Sequence, residues 1–417
     1  MSHSGTAENG TNGTVLLSAD NISSFVRGLP FKAQMILRKV AHLDAGSLAL
    51  TIPDGRTLLI RGTKPGPDAA LRLHNWNLFH RALSGGTIAV AECYMDGDWD
   101  SPDVGAFLEL FLVNQHVGNH FSNGARGLLR LIERFRHWLN NNTKRGSRRN
   151  ISAHYDLGND FYKEWLDPSM TYSSALYSTG ANDLQSAQRA KYKALAEATS
   201  IKPGDHVLEI GCGWGGFAEF AAREIGCHVT GLTISREQLK FAEERIAKAG
   251  LSDKVTFKFQ DYRDETGTYD RVVSIEMFEA VGEKYWPVYF DKVRSTLKPG
   301  GKAGLQIITI DKQAFDEYRT NPDFIQKYVF PGGMLPTVEH LVEHGAMSGL
   351  SMIGNFGFGP DYARTLAEWR HRFWDVWDRL QPMGFDLRFK RLWEFYLFYC
   401  EAGFRARNID VRQVVYS

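Results

Sequence analysis

The chain has 417 residues, room for two or three domains at roughly 150 residues each. Its 49 Lys and Arg against 48 Asp and Glu leave a net charge of +1, which excludes a partner held by global charge, such as bulk nucleic acid. An apolar share of 43% and an aromatic share of 12% exclude a mainly disordered chain. Cys93, Cys212, Cys227 and Cys400 stand far apart with no Cys-x-x-Cys pair, so neither a disulfide framework nor a zinc cluster is indicated, and a reducing, cytoplasmic setting is the simplest expectation.

Residues 1–20 are taken as a flexible tail, without the basic start and apolar run of a signal peptide. Residues 21–125 form the expected small α+β domain. It has a helical pattern over 22–43, strand-like runs at 49–52 and 56–61, a helix or strand around Leu78, turn chemistry closing AVAECYMDGDWD (89–100), and an apolar helix over 104–117. Residues 126–150 open as an amphipathic helix (GLLRLIERFRHWL) and close as a basic run (NNNTKRGSRRN). Two readings stand side by side: a solvated linker, or a patch for anionic lipid headgroups, each basic residue contributing about 1 kcal/mol near such a surface. No run approaches ~18 consecutive apolar residues, so any membrane is met from the side.

Residues 151–417 are the expected second domain. Apolar strands at 207–210, 228–234, 255–261, 271–276 and 302–310 alternate with helices at 215–225, 235–249 and 285–297, the last stopped by Lys298-Pro299-Gly300-Gly301. Ser235 with Gln238 three residues on predicts a capping box, and Gly250 follows that helix. The alternation predicts an α/β fold with a parallel sheet covered on both faces, and ligands bind such sheets beyond the strands' C-terminal ends.

LEIGCGWGGF (208–217) places Gly211, Gly213 and Gly216 in a G-x-G-x-x-G pattern between strand and helix, with Gly215 inside the loop. S-adenosylmethionine is favoured over a dinucleotide. Glu209 at the strand end suits the cofactor's ammonium, directly or through its loop. The next strand ends in Thr233-Ile234-Ser235 without the acid that grips a dinucleotide ribose, and Gln238 follows it. The third strand end, Gln260-Asp261-Tyr262, suits an adenine edge and face.

HYDLGNDFY (154–162), LDPSMTYSSALY (166–177), EIGCGWGG, GLTIS, QDYRD, MFEAVGEKYW and FRARNIDVRQVV together resemble the cyclopropane-fatty-acyl-phospholipid synthases, which include the mycolic acid cyclopropane synthases. The upstream AECYMDGDWD is similar to the small N-terminal domain of the two-domain bacterial members. The resemblance implies a Rossmann-like class I S-adenosylmethionine-dependent methyltransferase fold. It implies methyl transfer to the double bond of an unsaturated phospholipid acyl chain, then proton loss that closes a cyclopropane and leaves S-adenosylhomocysteine. It also implies peripheral association with the inner face of the membrane, and a homodimer is among the family's assemblies. An alkene needs alignment with the methyl sulfonium in a dry pocket, and the carbocation that follows is stabilised by aromatic faces.

The resemblance assigns proton removal to a bound bicarbonate held by Glu279, Tyr362, Gln306, the backbone N–H of Ile308 and the backbone carbonyl of Ser174. Gln306 stands where well-studied members carry His; it can donate to an anion but cannot take a proton. Ala280 replaces another His, and Ser174 a Cys. Tyr172 and Ser173 match cofactor contacts, and His154 opens a segment expected over the cofactor. Cys400 matches the family's reactive cysteine, while its residues alone suit a packing thiol, with no neighbouring base to lower its pKa. The segment 311–344 is expected as a lid, and Trp369, Phe373, Trp374 and Trp377 as one apolar helix face. Methylation to a methylene- or methyl-branched chain is an alternative that Gln306 motivates. A binding protein without turnover is an alternative of another class.

Overall fold

The computed structural model describes residues 14–18, 21–114 and 157–417. The basic stretch 126–150, together with His154 and Tyr155, lies outside the described residues. The chain divides into two compact units, the first containing the described residues up to 114 together with Phe385–Ala406, the second 157–384 together with Arg407–Ser417.

The first unit is built on a five-stranded mixed sheet, in the order β1 (Thr14–Leu17), β3 (Thr57–Arg61), β2 (Ala45–Thr51), β4 (Lys64–Leu73) and β5 (Trp99–Asp100). β1 corrects the tail expected over 1–20. Thr14 to Leu17 pair in parallel with Thr57 to Ile60, and Leu17 is buried. The single helix expected over 22–43 is two, Ile22–Phe25 and Phe31–Val40, because Gly28 turns the chain at φ +88° and Pro30 starts the second. β4 was not predicted. Its KPGPD start carries two prolines that disguise an alternation in which Ala69, Leu71 and Leu73 are buried.

The 151–417 boundary is also corrected. Helix Leu387–Arg405 packs on Asn77–Met95 and Val104–Val113 of the first unit. Tyr94 explains the attraction, since its ring meets Trp99 at 4.8 Å and Phe395 at 5.9 Å while its hydroxyl donates to Glu394 at 3.1 Å. Arg391 adds an ion pair to Asp100 at 2.8 Å and donates to the Tyr94 carbonyl.

The second unit holds a seven-stranded sheet made of β6 (His206–Ile210), β7 (His228–Thr233), β8 (Val255–Phe259), β9 (Tyr269–Ile275), β10 (Leu297–Ile310), β11 (Met352–Gly357) and β12 (Ile409–Tyr416). Its order is β11-β12-β10-β9-β6-β7-β8. The strands from β10 to β8 are parallel as predicted, while β12 runs antiparallel to β10 and β11 antiparallel to β12. Strand order reverses between β6 and β9, and a crevice opens at such a switch point beyond the C-terminal strand ends.

Alternation along the strands divides the core. Val207 and Val273 join Leu195, Phe217, Val229 and Ile246 on one face, and Leu208 and Val272 join Trp286, Phe290, Val293 and Leu305 on the other. Each such side chain contributes ~1.5–3 kcal/mol of burial. Trp369, Phe373 and Trp377 are buried as expected, whereas Trp374 lies off their stripe and is 37% exposed. Among the described residues no helix is long and apolar enough to cross a membrane.

Candidate active site

Glu209 and Glu276 stand on the two strands that flank the switch point. β6 and β9 run in parallel with Glu209 opposite Val273, and Glu276 follows the last residue of β9. Glu209 is 3% exposed and its Oε2 has no hydrogen-bond partner. Burial pushes its carboxyl well above the usual range, with the Lys191 charge pulling the other way. The adjoining loop is shaped by its glycines: Gly211 takes φ +83°, and a Cβ there would lie 2.7 Å from the Met277 side chain. At Gly213, φ is +51° and a Cβ would meet nothing within 4 Å. An orphaned buried acceptor on the strand that leads into a glycine turn fits a cofactor with an ammonium to donate.

The rest of the predicted cofactor set lies around this crevice. Tyr172 packs its ring against Trp369 at 5.2 Å and Tyr162 at 5.3 Å. Ser173 is gripped twice, its carbonyl by Gln188 Nε2 at 2.9 Å and its hydroxyl by Lys191 Nζ at 2.6 Å. Thr233 is buried, Ile234 half-buried, and Gly215 caps the helix Gly216–Phe220. The expected capping box is half-formed. Ser235 accepts from the Gln238 N–H, but the Gln238 side chain turns to Thr233, whose hydroxyl donates to it at 3.0 Å and accepts from the Ser235 N–H. Asp261 differs from expectation more sharply, since Arg263 pairs with its carboxylate at 2.7 Å and 2.8 Å. Tyr262 packs edge-on against Tyr289.

Glu276 organises the other side. It is a non-glycine residue at φ +49°, a strained conformation of the kind functional sites retain. Its Oε1 accepts from the Ser174 N–H and from Gln306 Nε2, each at 2.8 Å, and its Oε2 accepts from the Tyr362 hydroxyl at 2.6 Å. Gln306 is fully buried and its amide orientation is imposed, because Gln413 donates to Gln306 Oε1 at 3.1 Å and leaves Nε2 facing Glu276. Tyr362 is aimed by its helix, Gly359–Asp375. Asp410 caps the Gly359 N–H at 2.7 Å, Asp361 accepts from the N–H groups of Tyr177 and Ser178, and Thr365 accepts from the Ala175 N–H. Helix and 174–178 strap are thereby fixed together.

Glu279 completes the pair of carboxylates. Its Oε1 accepts from the Ile308 N–H at 2.6 Å, its Oε2 has no partner, and its carbonyl accepts from the Met334 N–H at 2.9 Å. That last bond ties the segment expected as a lid, here the helices Lys312–Thr320 and Phe324–Tyr328 and the turn after them, to the active-site loop. Burial first and the Glu276 charge second push the Glu279 carboxyl up to about 8. Burial also raises Glu276, but Lys191, Tyr362, Ser174 and Gln306 all oppose that rise. The two carboxyls are thus furnished differently: four groups favour the ionised form of Glu276, whereas at Glu279 the Ile308 and Glu279 N–H groups work against burial and the Glu276 charge.

All five groups expected to hold bicarbonate therefore meet here, but around carboxylates of the chain itself. Ser174 differs in detail: its N–H donates to Glu276, while its carbonyl accepts from Gln306 at 3.4 Å. With the Gln306, Tyr362 and Ile308 donors already engaged, these residues do not fit an additional free bicarbonate, which would sit against like charge. Cys400 lies on Leu387–Arg405 in the first unit, not on the sheet that carries this cluster. Sequence reasoning missed Glu276, Gln413, Gln188 and Lys191. Only the last two left a local signal, as polar residues on the buried stripe Leu184, Ala187, Gln188, Lys191, Tyr192, Leu195 of their helix.

Comparison with known proteins gives the same placement. The family profile described as mycolic acid cyclopropane synthetase matches residues 142–414. The tuberculostearic acid methyltransferase of Mycobacterium tuberculosis is 37% identical over 402 residues, covering 91% of this chain and 90% of its own length. The cyclopropane-fatty-acyl-phospholipid synthase of Escherichia coli strain K12 is 39% identical over 368 residues, covering 86% and 90%. Among solved structures, the cyclopropane synthase MmaA2 from Mycobacterium tuberculosis superposes with a TM-score of 0.61 at 29% identity, covering 64% of this chain and 97% of that one.

Proposed function

The chain belongs to the mycolic acid cyclopropane synthetase family and is an S-adenosylmethionine-dependent methyltransferase; from that premise we propose that it methylates the double bond of an unsaturated phospholipid acyl chain and closes a cyclopropane, with Glu276 as the base. The observation that carries this reading is the Glu276 carboxylate standing inside the donor set Ser174, Gln306 and Tyr362.

S-adenosylmethionine supplies an electrophilic methyl when bound. The chain's residues do the remainder. Glu209 and the glycine loop receive the cofactor, and the fixed strap 172–178 lies between cofactor side and carboxylate side. After methyl transfer the alkene's second carbon is cationic. Glu276 takes a proton from the added methyl, the C–H electron pair forms the third ring bond, and the charge is cancelled. Three donors orient Glu276 and favour its ionised form against the effect of burial, and Oε2, bound only by Tyr362, keeps a lone pair to accept the proton. Gln306 then needs only to donate, which removes the difficulty its replacement of His poses. The aromatic group Tyr162, Trp165, Tyr172 and Trp369, with ring centroids 5.2–5.8 Å apart, supplies faces suited to a transient cation.

A second reading is methylation without ring closure, in which the cation is discharged by loss of a proton from the added methyl after a hydride shift, giving a methylene-branched chain, or from the acyl chain, giving a methyl-branched alkene. A saturated methyl branch would further need a hydride donor such as a reduced nicotinamide or flavin. This reading is supported by the similarity to a relative named for tuberculostearic acid. The substrates belong to membranes, so the enzyme would work at a lipid surface, on its inner face if the protein is cytoplasmic. Incubation with S-adenosylmethionine and unsaturated phospholipid vesicles, followed by NMR of the recovered esters, decides between the readings. High-field ring protons support the cyclopropane. Olefinic methylene or branched-methyl signals alone replace it with the second reading, and unmodified lipid overturns both.

A further inference from the structure

Lys191 is completely buried on helix Leu184–Thr199, a costly position for an ammonium group. Its Nζ donates to the Ser173 hydroxyl at 2.6 Å and lies 4.6 Å over the Tyr192 ring. Gln188, three residues earlier on the same face, holds the Ser173 carbonyl. The opposite end of the residue is also engaged: the Lys191 backbone carbonyl accepts from Gln413 Nε2 at 3.1 Å, and the same amide nitrogen reaches Gln306 Oε1. Lys191 thus holds the residue next to Ser174 through its side chain and is joined to the Gln306 amide through its backbone by way of Gln413, and both Ser174 and Gln306 donate to Glu276.

The charged groups acting on this ammonium are Glu276 past the end of β9, Asp167 from the turn after helix Asn159–Trp165, and Glu209 on β6, with the Tyr192 phenol beside it. Burial pulls the ammonium down to about 7, and these three carboxylates oppose that fall, Glu276 most. Reciprocally, Lys191 is the first of the groups that lower Glu276 and the one charge that lowers Glu209.

We propose that Lys191 is a positioning residue shared by the two halves of the active site: it fixes Ser173 through the hydroxyl and is the counter-charge against which Glu276 is held as a carboxylate. This rests on the reading of Glu276 as the base. The buried cation is present because two buried carboxylates at adjacent strand ends need one. Its part is to keep Glu276 ready to receive a proton.

The test compares Lys191→Met, Lys191→Arg and Ser173→Ala with the wild type. Glu276 ionisation is followed by infrared spectroscopy against pH, with Glu276→Gln assigning the carboxyl band and a thermal melt checking the fold. Lys191→Met is expected to raise the pH at which Glu276 ionises by about one pH unit or more. It should also lower kcat near neutrality about tenfold or more, with KM for lipid little changed, and move the acid limb of the kcat profile upward. Lys191→Arg, which keeps the charge, should restore the wild-type titration at least in part, and Ser173→Ala should shift it in the same direction as Lys191→Met. Should Lys191→Met fail to fold, Ser173→Ala and Lys191→Arg carry the comparison. An unchanged Glu276 titration in Lys191→Met, or in Ser173→Ala where that variant must stand in, overturns the proposal. So does a parallel loss of kcat and of S-adenosylhomocysteine affinity in every variant. The infrared measurement needs no turnover, so a wild type inactive on phospholipid would sink the proposed function and leave this result standing.

Discussion

Glu209 and Glu276 are buried carboxylates on neighbouring parallel strands, and they are furnished in opposite ways. Glu276 has three donors from three separate segments of chain, whereas Glu209 keeps an oxygen with no partner at all. A buried acceptor left unmade costs about 1–3 kcal/mol. A fold that completes one site and leaves the next incomplete has assigned them different partners. On the proposed function, Glu276 would be the protein's own reagent, and Glu209 one half of a contact whose other half the cofactor would bring. The Lys191 charge acts on both, favouring the ionised form of each.

The comparison breaks most directly at Glu276. Glu276→Gln keeps the shape, can still accept from Tyr362 and removes the base, so kcat should fall about a thousandfold while affinity for S-adenosylmethionine holds. Single-turnover kinetics and calorimetry separate the two; an equal loss of both would make Glu276 a structural residue. Glu209→Gln should do the reverse. Losing a buried charge contact weakens S-adenosylmethionine about thirtyfold or more, with kcat at saturating cofactor much less affected. Retained cofactor affinity in this variant would mean that the orphaned oxygen faces something else.

These two residues also mark what the amino-acid sequence could disclose. The strand before the glycine loop, with Glu209 on it, is evident from a short apolar run followed by Gly-x-Gly, because local pattern and local structure coincide there. Glu279, Tyr362, Ile308 and Gln306 were reached through resemblance, and the structure brings them together. Glu276 stood in the same SIEMFE run without notice. Its role depends on a φ of +49° and on donors from Ser174, Gln306 and Tyr362, none of them local in sequence. Gln413 is legible only once β12 is known to run antiparallel to β10 with Gln413 opposite Gln306. Helix Leu387–Arg405 has an ordinary amphipathic pattern, and no pattern states that its partners are Asn77–Met95 and Val104–Val113. Periodicity reports which face is buried and is silent about what covers it.

Glu279 sharpens the contrast through pH. Burial, and the Glu276 charge after it, push its carboxyl up to about 8, above the ordinary value of 4.5. The folded protein therefore holds a proton that the unfolded chain has released, so the associated stability is complete below about 4.5 and is lost as pH rises toward 8. The slope is at most about 1.4 kcal/mol per pH unit. Glu279→Gln should remove that slope, and denaturant melts over about one pH unit above 4.5 test it below the range where Lys191 titrates. Identical slopes in the two proteins would show that the fold does not hold a proton on Glu279.

The smallest expected effect probes the cofactor side alone. Ser235 caps helix Arg236–Lys248 through the Gln238 N–H, and its own N–H reaches the Thr233 hydroxyl, which in turn donates to the Gln238 side chain. Ser235→Ala removes the cap but leaves the Thr233 and Gln238 side chains, so it should cost about 1 kcal/mol of stability. The turn after β7 then loses one of its restraints. If the two halves of the site are as separate as Glu209 and Glu276 suggest, the consequence is a rise of a few-fold in KM for S-adenosylmethionine with kcat unchanged, since nothing in the Glu276 cradle touches this turn. A fall in kcat at saturating cofactor would instead show that strain at the β7 end reaches the carboxylates, and Lys191, which bears on both Glu209 and Glu276, is the residue through which that coupling would have to pass.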